Sequence, residues 1–294
     1  MSKALVVGMG IGQLYKTVLT NLGYEVITVD LDPTKGADYT DIHKAISEHY
    51  KFDIVNICTP NFTHVKVARQ VASFSKIVFI EKPGLATSDA WEQLVKDYPY
   101  TRFMMVKNNQ YREEIKRFKE LASMSNSITI RWNNQNRIPH PGSWFTTKSL
   151  SFGGVSRDLI PHMLSYYCAL TDYEQGKQLF SLVDQQHRLN DITSTDYGTI
   201  NPDGTFDVDD FCELQYNSNG IKWILTANWK NDIKDDSSIS FEMPNSAVRV
   251  ELGLCPGDAY QRMIKTAVDN VDDSEFWLDQ YSQDTWIHKQ IEHL

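Results

Sequence analysis

An α/β domain followed by an α+β domain with a mainly antiparallel open sheet is the fold class predicted for this 294-residue chain. Three observations predict it. Over roughly residues 1–110 short apolar runs alternate with amphipathic stretches, the rhythm of parallel βαβ units. The first run, Ala4 to Val7, feeds the glycine-rich turn Gly8-Met9-Gly10-Ile11-Gly12. Beyond that, residues 111–294 turn to strands in β pattern with few helices, which suits an antiparallel sheet covered by helices on one face.

In the first domain the apolar runs predict strands at Ala4 to Val7, Val26 to Val29, Ile54 to Cys58, Ile77 to Ile80 and Phe103 to Val106. Helices are expected between them at Leu14 to Leu22, Asp41 to His49, His64 to Ser73 and Ser88 to Asp97, the last with a serine start and Trp91 and Leu94 on its apolar face. In the second domain a helix is expected from Glu113 to Met124, a strand from Ser127 to Trp132 and a helix from Asp158 to Leu170. Phe211 to Tyr216 and Lys222 to Ala227 read as a hairpin, because Asn219-Gly220 accepts the positive φ angles of a tight turn. Ser238 to Phe241 and Val248 to Leu252 extend that sheet.

A net charge of -9 with no large basic cluster argues against a nucleic-acid partner. The small group Lys116, Arg117 and Lys119 is interleaved with Glu113, Glu114 and Glu120 and reads as a solvated helix face. No apolar run is long enough to span a bilayer, and Met1-Ser2-Lys3 leads straight into a core strand, so a soluble cytoplasmic protein is expected. Cys58, Cys168, Cys212 and Cys255 are widely spaced and suit reduced thiols, with neither a disulfide framework nor a metal site expected.

The strongest chemical signal is Glu81-Lys82-Pro83-Gly84, directly after the apolar run ending at Ile80. Open α/β sheets bind ligands outside the carboxyl ends of their strands, and the proline restricts the lysine before it to extended backbone. Gly8, Gly10 and Gly12 let the backbone approach a pyrophosphate at the start of the next helix. Gln13 stands where the usual fingerprint has its third glycine, and Gly12 arrives one residue early. Asp30, 18 residues after Gly12, can accept both ribose hydroxyls of an adenosine and would repel a 2′-phosphate. NAD is therefore favoured over NADP, with Asp32 a competitor for the role and Lys35 able to soften the discrimination.

A second signal lies in Gly153-Gly154, Asp158 and His162. The spacing of four puts Asp158 and His162 on one helix face, and a histidine that titrates near neutrality can take a hydroxyl proton as hydride leaves the same carbon. Asn108, Asn109, Gln110, Tyr111, Arg137, His140, Trp144 and Arg157 are further candidates to line a substrate cleft, since amides and aromatics suit a polyhydroxylated ligand.

Together the glycine turn, Asp30-Leu31-Asp32-Pro33, Thr59-Pro60-Asn61 with His64, Glu81-Lys82-Pro83 and the Gly153 to His162 segment resemble the Gfo/Idh/MocA family of NAD(P)-dependent oxidoreductases over about the first 165 residues. The resemblance implies a Rossmann dinucleotide-binding domain at 1–110 and a substrate-binding and oligomerisation domain at 111–294. It implies a cofactor set of Gly8, Gly10, Ile11, Gly12, Asp30, Thr59, Pro60, Asn61, Glu81 and Lys82, with Lys82, His162 and Asp158 as catalytic residues. Lys82 would polarise the reacting oxygen, His162 relay the proton, and Asp158 orient the substrate or tune His162. The implied reaction is hydride transfer between NAD(P) and a carbinol or ketone of a sugar, cyclitol or nucleotide sugar, in a homodimer or homotetramer. A dinucleotide-bound regulatory protein without turnover, an imine or tetrapyrrole reductase and an NAD-dependent glycosidase are the alternatives. The family usually has glycine two residues before the histidine; here Ile160 stands there, which narrows the space expected at the cofactor.

Overall fold

The computed structural model describes residues 2–171, 180–189, 192–231 and 234–294. The chain divides into two compact units, Met1–Arg112 with Pro256–His288 and Glu113–Cys255 with Lys289–Leu294.

The first unit is built on five parallel strands, β1 (Lys3–Val7), β2 (Glu25–Val29), β3 (Phe52–Ile57), β4 (Ser75–Ile80) and β5 (Arg102–Met105), in the order β2-β1-β3-β4-β5. Between them run α1 (Gly12–Asn21), α2 (Ile42–His49), α3 (His64–Val71) and α4 (Ser88–Asp97). Every strand and helix expected here is present, with ends shifted by a few residues. Strands covered on both faces must be apolar throughout, and Ala4 to Val7 and Ile77 to Ile80 are buried along their length. The ladder continues one residue past the strand ends: Gly8 N–H donates to Val29 O at 2.8 Å, Cys58 N–H to Val7 O at 2.8 Å, Glu81 N–H to Ile57 O at 2.9 Å and Val106 N–H to Ile80 O at 2.9 Å. The loops that follow therefore emerge side by side from one edge. The strand order reverses between β1 and β3, the switch point at which such sheets open a crevice.

In the second unit come α5 (Ile115–Ser123), β6 (Ser127–Asn133), α6 (Lys148–Ser151), α7 (Val155–Asp158), α8 (Ile160–Leu170) and β7 (Ser181–Gln186). They are followed by β8 (Phe211–Ser218), β9 (Ile221–Asn228), β10 (Asp236–Met243) and β11 (Ser246–Glu251). The sheet order is β11-β10-β6-β9-β8-β7, antiparallel except for the parallel pair β6 and β9. The predicted hairpin turn is present, with Asn219 at φ 51° and Gly220 at φ 79°. One face carries Trp223, Leu225, Leu214, Ile130 and Phe241, all fully buried, with Phe118 of α5 packed on Phe241 at 5.7 Å between ring centroids. On the other face of β9, Lys222 is exposed and Ile224 and Thr226 are half-buried, so Ile224 is the one apolar side chain that strand presents there.

Where the structure differs from the sequence reading, the differences have physical causes. The single helix expected from Asp158 begins earlier, at Val155, and is interrupted at Leu159 before Pro161 opens α8. β7 went unrecognised because its pattern is weak, with Leu182 and Val183 about half exposed at 46% and 52%. The carboxyl-terminal helices α9 (Gly257–Asp269) and α10 (Ser274–Ile291) were not foreseen. Residues 256–288 lie with the first unit rather than with the rest of 111–294. The reason is their contacts: Met263 and Ile264 of α9 are buried, Tyr260 meets Tyr15 edge-on at 5.4 Å, and α10 sends buried polar side chains into the edge of the first sheet.

Candidate active site

At the carboxyl edge of the first sheet the structure brings together every cofactor candidate named from the sequence. Gly8 has φ 93°, and a Cβ there would lie 2.7 Å from the Cys58 carbonyl carbon, so only glycine lets the β1 and β3 loops meet. A Cβ at Gly12 would fall 2.9 Å from Val6 Cγ1, which seats the first turn of α1 on its strand. Gly10 is different: a Cβ would meet nothing within 4 Å, and Ile11 beside it is 45% exposed. No side chain caps the start of α1; Gln13 N–H and Leu14 N–H donate to Gly10 O at 3.3 Å and Ile11 O at 3.0 Å, and the positive end of the helix dipole there favours an anion.

Asp30 settles against this turn. Its Oδ2 accepts from Met9 N–H at 2.6 Å and its Oδ1 from Asp32 N–H at 2.9 Å. Asp32 instead closes its own turn, accepting from the Thr34 N–H at 2.9 Å and hydroxyl at 2.7 Å, and those bonds hold its carboxyl below the ordinary range. Of the two competing acids, Asp30 is the one beside the glycines.

After β3, Thr59 and Pro60 are half-buried and Asn61 is buried. The Thr63 hydroxyl donates to Thr59 Oγ1 at 2.6 Å and lies 2.7 Å from Pro60 O, bracing the turn. His64 is fully buried, with Nδ1 2.7 Å from Gly84 O and Nε2 2.8 Å from Thr59 O. Burial pulls its pKa down while the two carbonyls pull it up.

After β4, Lys82 is half-buried and follows Glu81, whose Oε1 accepts from the Tyr15 hydroxyl at 2.7 Å and whose Oε2 accepts from Lys82 N–H at 3.2 Å. Burial and the Glu81 charge push the Tyr15 hydroxyl well above its usual pKa; burial does the same to the Cys58 thiol. After β5, Asn109 Oδ1 accepts from Arg112 Nε–H at 3.0 Å and Gln110 bonds Gln283 at 2.9 Å, so both hold structure. Lys107, fully buried, pairs with Asp284 of α10, whose Oδ2 also accepts from Met105 N–H at 3.0 Å. Burial pushes the Asp284 carboxyl up to about 6, against the pull of Lys107.

In the second unit, Asp209 organises the Gly153-Gly154 turn. Its carboxylate accepts from Gly154 N–H, Ser156 N–H and the Ser156 hydroxyl, each at 2.8 Å, and its carbonyl accepts from Val155 N–H at 2.9 Å. A Cβ on Gly154 would lie 1.8 Å from that carbonyl oxygen. The run Asp207-Val208-Asp209-Asp210 leads into β8, and its other acids are engaged too: Asp207 accepts from Lys148 N–H at 2.6 Å and Asp210 pairs with Arg188 at 3.3 Å.

Asp158 ends α7, is 8% exposed and accepts from Trp229 Nε1–H at 2.9 Å. His162, half-buried on α8, stacks on Trp132 with centroids 5.4 Å apart and planes at 27°. Ile160 is fully buried in the unit's own core, which explains a bulky residue there. Arg157 is buried and its pKa is pulled down to about 10 by burial. Arg137 pairs with Asp235, and Trp144 packs on Phe145 at 4.6 Å.

Sequence reasoning missed Tyr15, Asp209, Trp229, Asp284 and His288. Each acts by a hydrogen bond to a residue at least 53 positions away, and no local spacing announces such a bond.

Residues 26–99 match the model of the GFO_IDH_MocA oxidoreductase family, NAD-binding Rossmann fold. The match begins downstream of the altered glycine turn and takes in Asp30, Thr59 to Asn61 and Glu81-Lys82. Over these residues the chain is similar to this oxidoreductase family. It is 26% identical over 177 residues to a protein of Amycolatopsis mediterranei described as the oxidoreductase subunit of a UDP-kanosamine synthase, covering 55% of this chain and 49% of the relative. The match thus spans about half the relative's length. Among solved structures, GenD2 of gentamicin A biosynthesis, in complex with NAD, superposes with a TM-score of 0.75 at 19% identity, covering 99% of this chain and 93% of that one. Levoglucosan dehydrogenase with NADH and levoglucosan gives 0.72 at 15% identity over 99% and 95% of the two chains. These likenesses establish the shared fold.

Proposed function

We propose that the protein is an NAD-dependent oxidoreductase acting between a carbinol and a ketone of a sugar, cyclitol or nucleotide sugar. The observation that carries this reading is the convergence at one sheet edge of the open Gly10 turn, the uncapped start of α1, Asp30, Thr59 to Asn61 and Lys82. Relatives named for UDP-kanosamine, gentamicin A and levoglucosan support a polyhydroxylated substrate. Four free cysteines suit a reducing, cytoplasmic setting, and among the described residues no helix is long and apolar enough to cross a membrane.

Bound NAD would supply the hydride acceptor. Gly8 to Gly12 with the α1 start would receive its pyrophosphate, Asp30 its adenosine ribose, and Thr59 to Asn61 the edge near its nicotinamide ribose. The Lys82 ammonium donates to the substrate oxygen and steadies its developing charge. His162 accepts the hydroxyl proton, the role its half-buried imidazole can fill, and Asp158 orients the substrate or tunes His162. A homodimer or homotetramer formed through the open sheet face completes the proposal, and light scattering tests it: a monomer would remove it.

The deciding experiment is calorimetry with NADH and NADPH, followed by a turnover screen of sugars, cyclitols and nucleotide sugars. Tighter NADH binding and turnover of a polyol are expected. Tighter NADPH binding would remove Asp30 from the ribose, and NADH binding without turnover of any polyol would favour a dinucleotide-bound regulator.

A further inference from the structure

The backbone from Glu81 to Leu85 lies outside helix and strand, and Pro83, Gly84 and Leu85 are buried. Buried backbone groups must find partners, and here two side chains supply them for a single peptide group. His64 Nδ1 lies 2.7 Å from Gly84 O, and Leu85 N–H, across the same peptide bond, donates to His288 Nε2 at 2.9 Å. Both imidazoles are fully buried. His288 Nδ1 lies 2.6 Å from Asp284 O, so the proton sits on Nδ1 and leaves Nε2 to accept. Trp91 stacks on His288 at 5.0 Å, and a Cβ at Gly84 would fall 2.4 Å from His288 Nε2. One turn earlier on α10, the Asp284 side chain fixes the helix to Met105 and Lys107.

We infer that His64 and His288 are positioning residues that clamp the Gly84–Leu85 peptide and so aim Lys82, which makes α10 part of the apparatus of the lysine turn. Neither imidazole need touch substrate: the lysine lies two residues before the clamped peptide, and a small backbone shift there displaces its amine. The inference rests on the proposed reading of Lys82 as the group at the reacting oxygen.

The test uses the full-length protein with NADH as binding probe and, for turnover, NAD with the best polyol from the screen. His288→Phe keeps a ring against Trp91 and removes the acceptor; His288→Gln returns an acceptor near the Nε2 position. His288→Phe should speed amide exchange at Leu85 by a hundredfold or more and lower kcat at least tenfold, with the Kd for NADH within twofold of wild type. His288→Gln should recover most of the kcat and of the Leu85 protection. A kcat within twofold of wild type in His288→Phe, while Lys82→Met is inactive, overturns the inference. So does a loss of NADH affinity in step with kcat, which would mean general loosening. Full turnover in Lys82→Met is the separate result that sinks the reading of Lys82 itself. Should His288→Phe fail to fold, His64→Leu against His64→Asn, which keeps a donor near Nδ1, puts the same question from the other side with the same two outcomes.

Discussion

The Lys82 turn and the Asp158–His162 segment are held in opposite ways. Around Lys82 the restraint is shared by three distant parts of the chain: Tyr15 on Glu81, His64 on Gly84 and His288 on Leu85. Around Asp158 a single residue, Asp209, takes the backbone at Gly154, Val155 and Ser156, and aromatic partners, Trp229 and Trp132, meet the two side chains directly. A shared restraint should lose function by degrees. One that converges on a single close contact should fail at one substitution.

The largest expected effect tests that contrast. Gly154→Ala must displace backbone, since its Cβ would sit 1.8 Å from Asp209 O, and should cost more than ~4 kcal/mol, enough to unfold a marginal unit. Gly10→Ala has nothing within 4 Å to meet and should change stability by less than ~1 kcal/mol while weakening NADH binding. Equal melting temperatures for the two variants would erase the distinction.

Next in size is Asp284→Ala, which takes the acceptor from both buried Lys107 and Met105 N–H and should cost about 3–5 kcal/mol by chemical denaturation. The pH dependence has a definite sign. Asp284 holds its proton up to about 6 in the folded protein but only to ~3.9 in an unfolded chain, so its contribution is fully present below ~4 and is lost as pH rises through about 6. Melting curves from acid to neutral pH should show the difference between wild type and Asp284→Ala shrinking as pH rises. A constant difference would mean that Asp284 titrates alike in both states.

Smaller is Trp229→Phe, which removes the indole donor from buried Asp158 and should cost about 1–3 kcal/mol. Turnover should fall further than NADH affinity if Asp158 acts at the substrate. The smallest is Tyr15→Phe, about 1 kcal/mol from the lost bond to Glu81, with only a modest fall in kcat because His64 and His288 still hold the turn. A collapse of activity in Tyr15→Phe would show that the restraint on Lys82 is not shared.

The amino-acid sequence by itself determined the parallel sheet, the glycine turn, the lysine at the end of β4 and the Asn219-Gly220 hairpin. Apolar periodicity, φ preference and strand-end position are properties of neighbouring residues and survive in a linear string. It left Asp30 and Asp32 in competition, because both follow β2 and only the approach of Met9 N–H separates them. It spread one domain over 111–294, whereas α9 and most of α10 belong with the first sheet. That return depends on matching Asp284 and His288 to backbone groups about 180 and 200 residues earlier. Only the tertiary structure could decide it, because a hydrogen bond between buried groups is set by where strands end in space and leaves no period in the sequence.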